Sequence, residues 1–179
     1  SGWQRQPELN TVQGELEAAF SQIADTKVTV NVAGRTDSGV HATGQVISFQ
    51  TTAERQAVDW VRGGNGLTSS DIQIHWAEKC ATDFHPRYSA LSRIYTYVFY
   101  DQAPRGDVFL GDLAWCTDVL DADVMHRQAQ YLLGEHDFSS FRAAGCQSTT
   151  AMRRIDRCIV SRHGGLVTME IEANAYLLH

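Results

Sequence analysis

Two short runs of alternating apolar residues, Val28-Val30-Val32 and Ile47-Phe49, flank the string Gly34-Arg35-Thr36-Asp37-Ser38-Gly39-Val40-His41. A period of two gives each run one face to bury, so both read as β-strands. The pattern is strand, turn, strand. Gly34 and Gly39 read as turn-makers, because glycine takes positive φ without a steric penalty. An aspartate held in such a turn beside an arginine stays ionised in a confined site, which is what a carboxylate nucleophile needs. The plain alternative is a bend tied by a local Arg35–Asp37 ion pair.

The flanking sequence alternates between helical and strand signals. Val12, Leu16, Ala19, Phe20 and Ile23 recur at helical spacing behind Asn10-Thr11, which can cap. Ala53 to Val61 reads as a short helix, and Ile72, Ile74 and Trp76 as a strand. Arg93-Ile94-Tyr95-Thr96-Tyr97-Val98-Phe99-Tyr100 is a strand by its β-branched and aromatic content, with Tyr95, Tyr97 and Phe99 on one face. Asp121 caps a helix with Val124, Met125, Ala129, Leu132 and Leu133 as its apolar face, ended by Gly134. Ile155 to Ser161 and Leu166 to Ala173 read as hairpin strands about His163-Gly164-Gly165, with Val167, Met169 and Ile171 facing in. Each half packs strands on one or two helices, an α+β architecture.

At 179 residues the chain can bury one substantial core or two small ones. It has no apolar run long enough to cross a bilayer and no signal-peptide pattern at Ser1. Cys80, Cys116, Cys146 and Cys158 show no Cys-x-x-Cys spacing, which points to packed, free thiols in a reducing cytoplasm and to no zinc site. The net charge of −6 argues against gripping nucleic acid by bulk positive charge. Its distribution is uneven, however: eight acids lie between Asp101 and Asp137, and five arginines (Arg142, Arg153, Arg154, Arg157, Arg162) lie between 142 and 162 against Asp156 alone. Guanidinium groups suit bidentate phosphate contact and stacking on bases. A solvated basic face is the plain alternative.

Several runs, in order along the chain, carry a family resemblance. They are Gly2-Trp3-Gln4-Arg5-Gln6; Gly34–His41 with Thr43-Gly44-Gln45-Val46; Asp83-Phe84-His85-Pro86-Arg87-Tyr88-Ser89-Ala90; Arg93-x-Tyr95-x-Tyr97; Leu133-Gly134-Glu135-His136-Asp137-Phe138-x-Ser140-Phe141; Arg153-x-Ile155; and Ala173-Asn174-Ala175-Tyr176-Leu177. With these residues the chain resembles the tRNA pseudouridine synthase A family. The resemblance implies two ferredoxin-like (RNP-like) α/β sandwich subdomains sharing a largely antiparallel sheet, with helices on one side. The first, residues 1–81, carries the Asp turn; the second, 82–179, carries RNA-binding and further active-site residues. It also implies cofactor-free, metal-free isomerisation of uridine to pseudouridine at positions 38, 39 and 40 of the tRNA anticodon stem-loop. The other expectations are a tRNA partner, a homodimer, no membrane association and a cytoplasmic location.

By the same resemblance Asp37 is the nucleophile on a flipped nucleotide, attacking either the uracil ring or the ribose anomeric carbon. Arg35 partners Asp37 and helps hold the place of the extruded nucleotide, and Tyr95 lies against the target base. The chemistry suits these residue types. Extruding a stacked base costs a few kcal/mol, which an aromatic face and arginines partly recover. An aspartate, with an ordinary pKa of about 3.9, needs no general base to become a nucleophile. Phe84, His85, Pro86, Arg87 and Tyr88 match an RNA-contacting loop, against the reading of His85-Pro86 as an ordinary turn. Gly145, Cys146, Gln147, Ser148 and Thr149 match a second tRNA-contacting stretch of ordinary composition. Tyr97 and Phe99 read as core residues, and His41 as a hydrogen-bonding brace of its turn.

The family pattern also has a strand ahead of the Gly-Trp-Gln motif and, beyond the position of His179, a Val-Arg pair with an active-site arginine, a helix and a strand; against that pattern the chain is truncated at both ends, and the expectation is an active full-length synthase with weak or absent activity in residues 1–179 alone. Thr68-Ser69 stand where the family pattern has a Leu-Pro step. Two other function classes compete with the isomerase: a non-catalytic RNA-binding module or inactive fragment of such an enzyme, and an Asp-dependent hydrolase. The hydrolase needs a second carboxylate or metal-ligand acids beside Asp37, and the sequence offers no short Asp-x-Asp there.

Overall fold

A computed structural model describes residues 1–102, 113–146 and 148–177. The chain divides into two compact units, Ser1–Ala90 and Leu91–His179. The architecture is α+β, as the sequence patterns require. Where the resemblance implies one shared sheet, the described strands pair as two, one of two strands and one of five.

In the first unit, helix α1 (Val12–Ala24) starts where the Thr11 side chain accepts from the Gly14 amide and stops at Asp25, whose φ of 53° is left-handed. Its Leu16, Ala19 and Phe20 are buried, together with Trp3, Val28, Val30 and Trp60. Strands β1 (Val30–Val32) and β2 (Ile47–Phe49) pair antiparallel, Val30 opposite Phe49. Phe49 stacks on Phe20 at 4.9 Å and meets Trp60 edge-on at 4.9 Å, so three elements share one aromatic cluster.

Two segments differ from their sequence patterns. The helix expected over Ala53–Val61 runs instead as α2, Ala57–Leu67, because Gln56 and Asp59 form a reciprocal capping box that fixes the start. Three glycines then fall inside it, and two of them serve close packing: a Cβ on Gly64 would lie 2.3 Å from Ile74 Cδ1, and one on Gly63 2.9 Å from Ile23 Cδ1. The strand expected at Ile72–Trp76 is not a sheet strand. The Asn65 side chain binds the Ile74 backbone at both its N–H (2.7 Å) and its carbonyl (2.9 Å), doing locally what a neighbouring strand would do.

In the second unit the sheet order is β4-β3-β7-β6-β5, from β3 (Arg93–Tyr100), β4 (Ala114–Trp115), β5 (Gly134–Asp137), β6 (Met152–His163) and β7 (Leu166–Ala173). All neighbours are antiparallel except the two-residue β3–β4 pairing. The β6–β7 hairpin closes at His163 opposite Leu166, with Gly164 at φ 60° in the two-residue turn. A register shift between Ile155 and Arg157 makes Asp156 an extra residue. That bulge puts Ile155, Cys158 and Val160 on one face although their spacing breaks the period of two. Helix α3 (Ala122–Ala129) is capped by Asp121 Oδ1 accepting from the Val124 amide at 2.9 Å. It packs on this face through Ala122, Met125 and Ala129, over Val167 and Ala173. Val124 and Leu133, expected on the apolar face, are exposed. Of the four cysteines only Cys158 is buried.

Candidate active site

The Asp37 turn hangs between β1 and β2. Gly39 takes a φ of 83°, as a turn-maker should, and Val40 N–H closes the turn on the Asp37 carbonyl at 3.2 Å. Gly34 is not at positive φ; it sits where the Gln45 side chain completes the ladder. The Gln45 amide donates to the Gly34 carbonyl (2.6 Å) and its oxygen accepts the Gly34 N–H (3.3 Å), just beyond the Ala33 N–H bond to the Val46 carbonyl (2.9 Å). One side chain thus extends the β1–β2 pairing to the lip of the turn.

A strap from the start of the chain holds the other side. Trp3 N–H donates to the Thr36 carbonyl at 2.9 Å, while the Trp3 carbonyl accepts from Gln13 and the Gly2 carbonyl from Val12, both at the head of α1. The Trp3 side chain is buried. Gly2 lies so close to the turn that a Cβ there would sit 2.8 Å from the Thr36 carbonyl oxygen and 2.9 Å from Asp37 C and Ser38 N. Next along the strap, Arg5 pairs with the buried Glu17 carboxylate at 2.9 Å; the other Glu17 oxygen accepts from Gln13 and from the Val30 amide. A carboxylate this buried is stable only with such partners.

The side chains differ from expectation. Asp37 is exposed rather than confined, and among the described residues no ion pair joins it to Arg35. Arg35 Nη1 instead donates to Gln4 Oε1 at 3.1 Å. The strap thus offers Arg35 an acceptor other than its neighbour two residues on. His41 is exposed and forms no hydrogen bond with the described residues; the backbone bonds of Trp3 and Val40 do the bracing assigned to it.

Phe84–Tyr88 also lies in the first unit. His85 organises it: its amide donates to Ser89 Oγ, its carbonyl accepts from Tyr88 and Ser89, and its Nδ1 accepts from the Arg87 amide. The His85 and Tyr88 rings are 4.4 Å apart, and the Arg87 guanidinium stands 5.8 Å from the Tyr88 ring centre. Pro86 is buried beneath, leaving Tyr88 77% exposed. An exposed aromatic face with an adjoining cation is the kind of platform on which a base stacks.

Tyr95 belongs to the second unit, on β3 opposite Ile171 of β7. Tyr176 meets it edge-on at 4.4 Å, and the Tyr176 hydroxyl donates to the Ile171 carbonyl at 2.7 Å. Burial pushes the Tyr176 phenol up from its ordinary pKa, with the Tyr95 ring neighbour adding to it. Asn174 ties strand ends together: its Oδ1 accepts from the Arg154 amide, its amide donates to the Arg154 carbonyl, and its carbonyl accepts from Arg93. Three motifs far apart in sequence therefore meet at one end of this sheet. Tyr97, read as a core residue, is 56% exposed, whereas Phe99 packs against the core.

In the Gly145–Thr149 stretch, Gly145 takes a φ of 87°, and Arg142 donates to the carbonyls of Cys146 (3.2 Å) and Ser148 (2.5 Å). Buried Arg153 also reaches Ser148 Oγ and the carbonyls of Thr150 and Met152. Gln147 lies outside the described residues. The five-arginine segment is thus far from a free basic face. Arg154 pairs with Asp156, Arg157 with Glu170 and Glu172, and Arg162 with Asp101. The Arg162 guanidinium, with the Leu120 amide, holds the Asp101 carboxyl well below the usual carboxylate range.

Gln4, Gln45, Trp3 and Tyr176 were not singled out from the sequence as site residues. Their motifs were visible, but a glutamine that pairs with a glycine backbone leaves no periodic trace.

The comparisons with known proteins place the chain in a family. A family model described as tRNA pseudouridine synthase matches residues 1–89 and 128–179, which include the Asp37 turn, its strap and the β6–β7 hairpin; Tyr95 falls between the two stretches. The chain belongs to the tRNA pseudouridine synthase family. It is 47% identical over 178 residues to proteins named tRNA pseudouridine synthase A from Escherichia coli O1:K1 / APEC, Shigella boydii serotype 18 and Escherichia fergusonii. These alignments cover 99% of this chain and 66% of each relative, so the chain spans just under two thirds of their length.

Proposed function

We propose that this chain carries the catalytic apparatus of an isomerase that converts uridine to pseudouridine at positions 38–40 of the tRNA anticodon stem-loop, with Asp37 as nucleophile. In this reaction the N1–C1′ glycosidic bond breaks and a C5–C1′ bond forms; the C5 hydrogen leaves as a proton and N1 takes one up. The observation that carries the reading is an unpaired, exposed carboxylate on a turn that is braced from both sides. Gln45 holds one shoulder through Gly34, and Gly2-Trp3 holds the other through Thr36. A nucleophile needs to be free of competing partners and carried on a positioned backbone; among the described residues the Asp37 carboxylate has no partner, and the braces hold the backbone that carries it.

The remaining assignments rest on the family resemblance together with local geometry. Tyr95, backed by Tyr176, supplies an aromatic face for a flipped base, and Arg35 acts on the substrate rather than on Asp37. The Tyr88–Arg87 platform and the Gly145–Thr149 loop bind tRNA. No metal or organic cofactor enters the chemistry. The enzyme works as a cytoplasmic homodimer, as the family resemblance implies. Among the described residues no helix is long and apolar enough to cross a membrane.

The test is site mapping. An unmodified tRNA transcript with uridines at 38, 39 and 40 is incubated with the chain and read by carbodiimide-primed reverse-transcription stops. The expected stops fall at those three positions and vanish with Asp37→Asn. Stops elsewhere in the tRNA, or none at all, count against the reading.

A further inference from the structure

We propose that Gln4 is a positioning residue that holds the Arg35 guanidinium without neutralising it, so that its full charge meets a phosphodiester of the RNA. The inference rests on the Asp37-loop reading above, and it concerns substrate binding rather than bond-making.

Gln4 is flanked by two anchored residues. Its preceding neighbour Trp3 is 4% exposed and bonded through its backbone to Thr36 and Gln13. Its following neighbour Arg5 is tied by its amide to Gln13 Oε1 (3.1 Å) and by its guanidinium to the buried Glu17. Gln4 is therefore held at both ends of its backbone, and its side chain reaches Arg35, 31 residues on, at 3.1 Å. A guanidinium only donates, so the amide must present its oxygen.

The neutrality of that acceptor is the point. Arg5, Arg154, Arg157 and Arg162 are each matched to a carboxylate. Arg35 has a carboxylate two residues away in Asp37, yet is bonded to an amide. An arginine already paired with an acid is a poor phosphate ligand, since a bidentate phosphate contact would have to break that pair. A neutral carbonyl fixes one edge of the guanidinium and leaves its remaining N–H donors and its whole charge for an anion. In a protein with a net charge of −6, one unneutralised cation beside the reacting group matters more than in a basic one.

A purely structural hydrogen bond and a charge-preserving one predict opposite orders for two substitutions. Gln4→Glu keeps the acceptor oxygen and adds a negative charge; Gln4→Ala removes the acceptor and leaves the charge alone. The experiment measures equilibrium binding of an anticodon stem-loop RNA to the chain by fluorescence anisotropy across a salt series. Both variants are made also on an Asp37→Asn background, where chemistry cannot interfere. The expected result is about tenfold weaker binding for Gln4→Glu, with the salt slope shallower by about 0.7 to 1, as for one lost phosphate contact. Gln4→Ala loses only about two- to threefold, with the slope unchanged. Far-ultraviolet circular dichroism checks that both variants fold. Binding by Gln4→Glu equal to that of the parent, or weaker binding by Gln4→Ala than by Gln4→Glu, overturns the proposal. So does the absence of salt-dependent RNA binding by the unsubstituted chain. If Asp37→Asn retains turnover, the nucleophile assignment fails while the Gln4 comparison still stands on its own readout.

Discussion

Gly2→Ala tests the strap because the added atom has nowhere to go. Its Cβ would sit at 2.8 to 2.9 Å from three backbone atoms of Thr36, Asp37 and Ser38, where ordinary contact begins near 3.4 Å. Something must move by about half an ångström. The strap cannot recede easily, since its carbonyls are bonded to α1 and Trp3 is buried. The turn is the cheaper element to displace, so Asp37 moves. A misplacement near 1 Å costs about a hundredfold in rate, so half of that corresponds to about tenfold, or about 1.4 kcal/mol on the barrier. Overpacking adds about 1–3 kcal/mol of destabilisation. Single-turnover kinetics on tRNA with saturating protein, alongside thermal melting, separate the two effects. Gly39→Ala is the control, since open space surrounds that position and only its φ of 83° is strained. Its loss should appear mainly as a stability change of about 1 kcal/mol. If Gly2→Ala turns over at the parent rate with an unchanged melting temperature, the bracing argument is wrong.

Three further outcomes follow from the packing. Asp101 has a folded pKa depressed by Arg162 and the Leu120 amide, so its contribution to stability is complete above the unfolded value of about 3.9 and is lost as pH falls through the folded one. Thermal melts from pH 7 down to pH 3 should show stability dropping below about pH 4, and Asp101→Asn should melt lower at neutral pH with a flatter acid limb. Asn65→Ala strands both Ile74 backbone groups and should destabilise by about 1–3 kcal/mol in urea titration without touching RNA affinity. Tyr176→Phe removes a hydrogen bond to Ile171 at a cost of about 1 kcal/mol, whereas Tyr176→Ala also frees the Tyr95 ring; only the second should lower turnover, measured at saturating tRNA.

Much of the fold was legible because its signals are periodic or terminal. Leu16, Ala19 and Phe20 at helical spacing located α1, Asp121 marked the head of α3, and Val167, Met169 and Ile171 set the inward face of β7. What escaped were interactions in which a side chain replaces backbone pairing. Asn65 satisfies Ile74, so an alternating segment has no need of a sheet, and Gln45 serves Gly34 in the same way. The capping box at Gln56 moved a helix start that apolar spacing alone had put earlier. At the candidate site, the motif resemblance pairs Arg35 with Asp37, whereas Arg35 donates to Gln4. Proximity in sequence favoured Asp37, and the strap supplied Gln4. The arginine-rich segment misled for a related reason: its partners Asp101, Glu170 and Glu172 lie outside it in sequence and meet it only through the sheet and the loops that flank it.

The central claim is that Asp37 performs the isomerisation. Tritium release from tRNA labelled at uridine C5 measures that step directly, because the C5 hydrogen leaves only when the new carbon–carbon bond is completed. The account predicts release by the unsubstituted chain and none above background by Asp37→Asn, with stem-loop binding retained by that variant. Release by Asp37→Asn at the parent rate would contradict it.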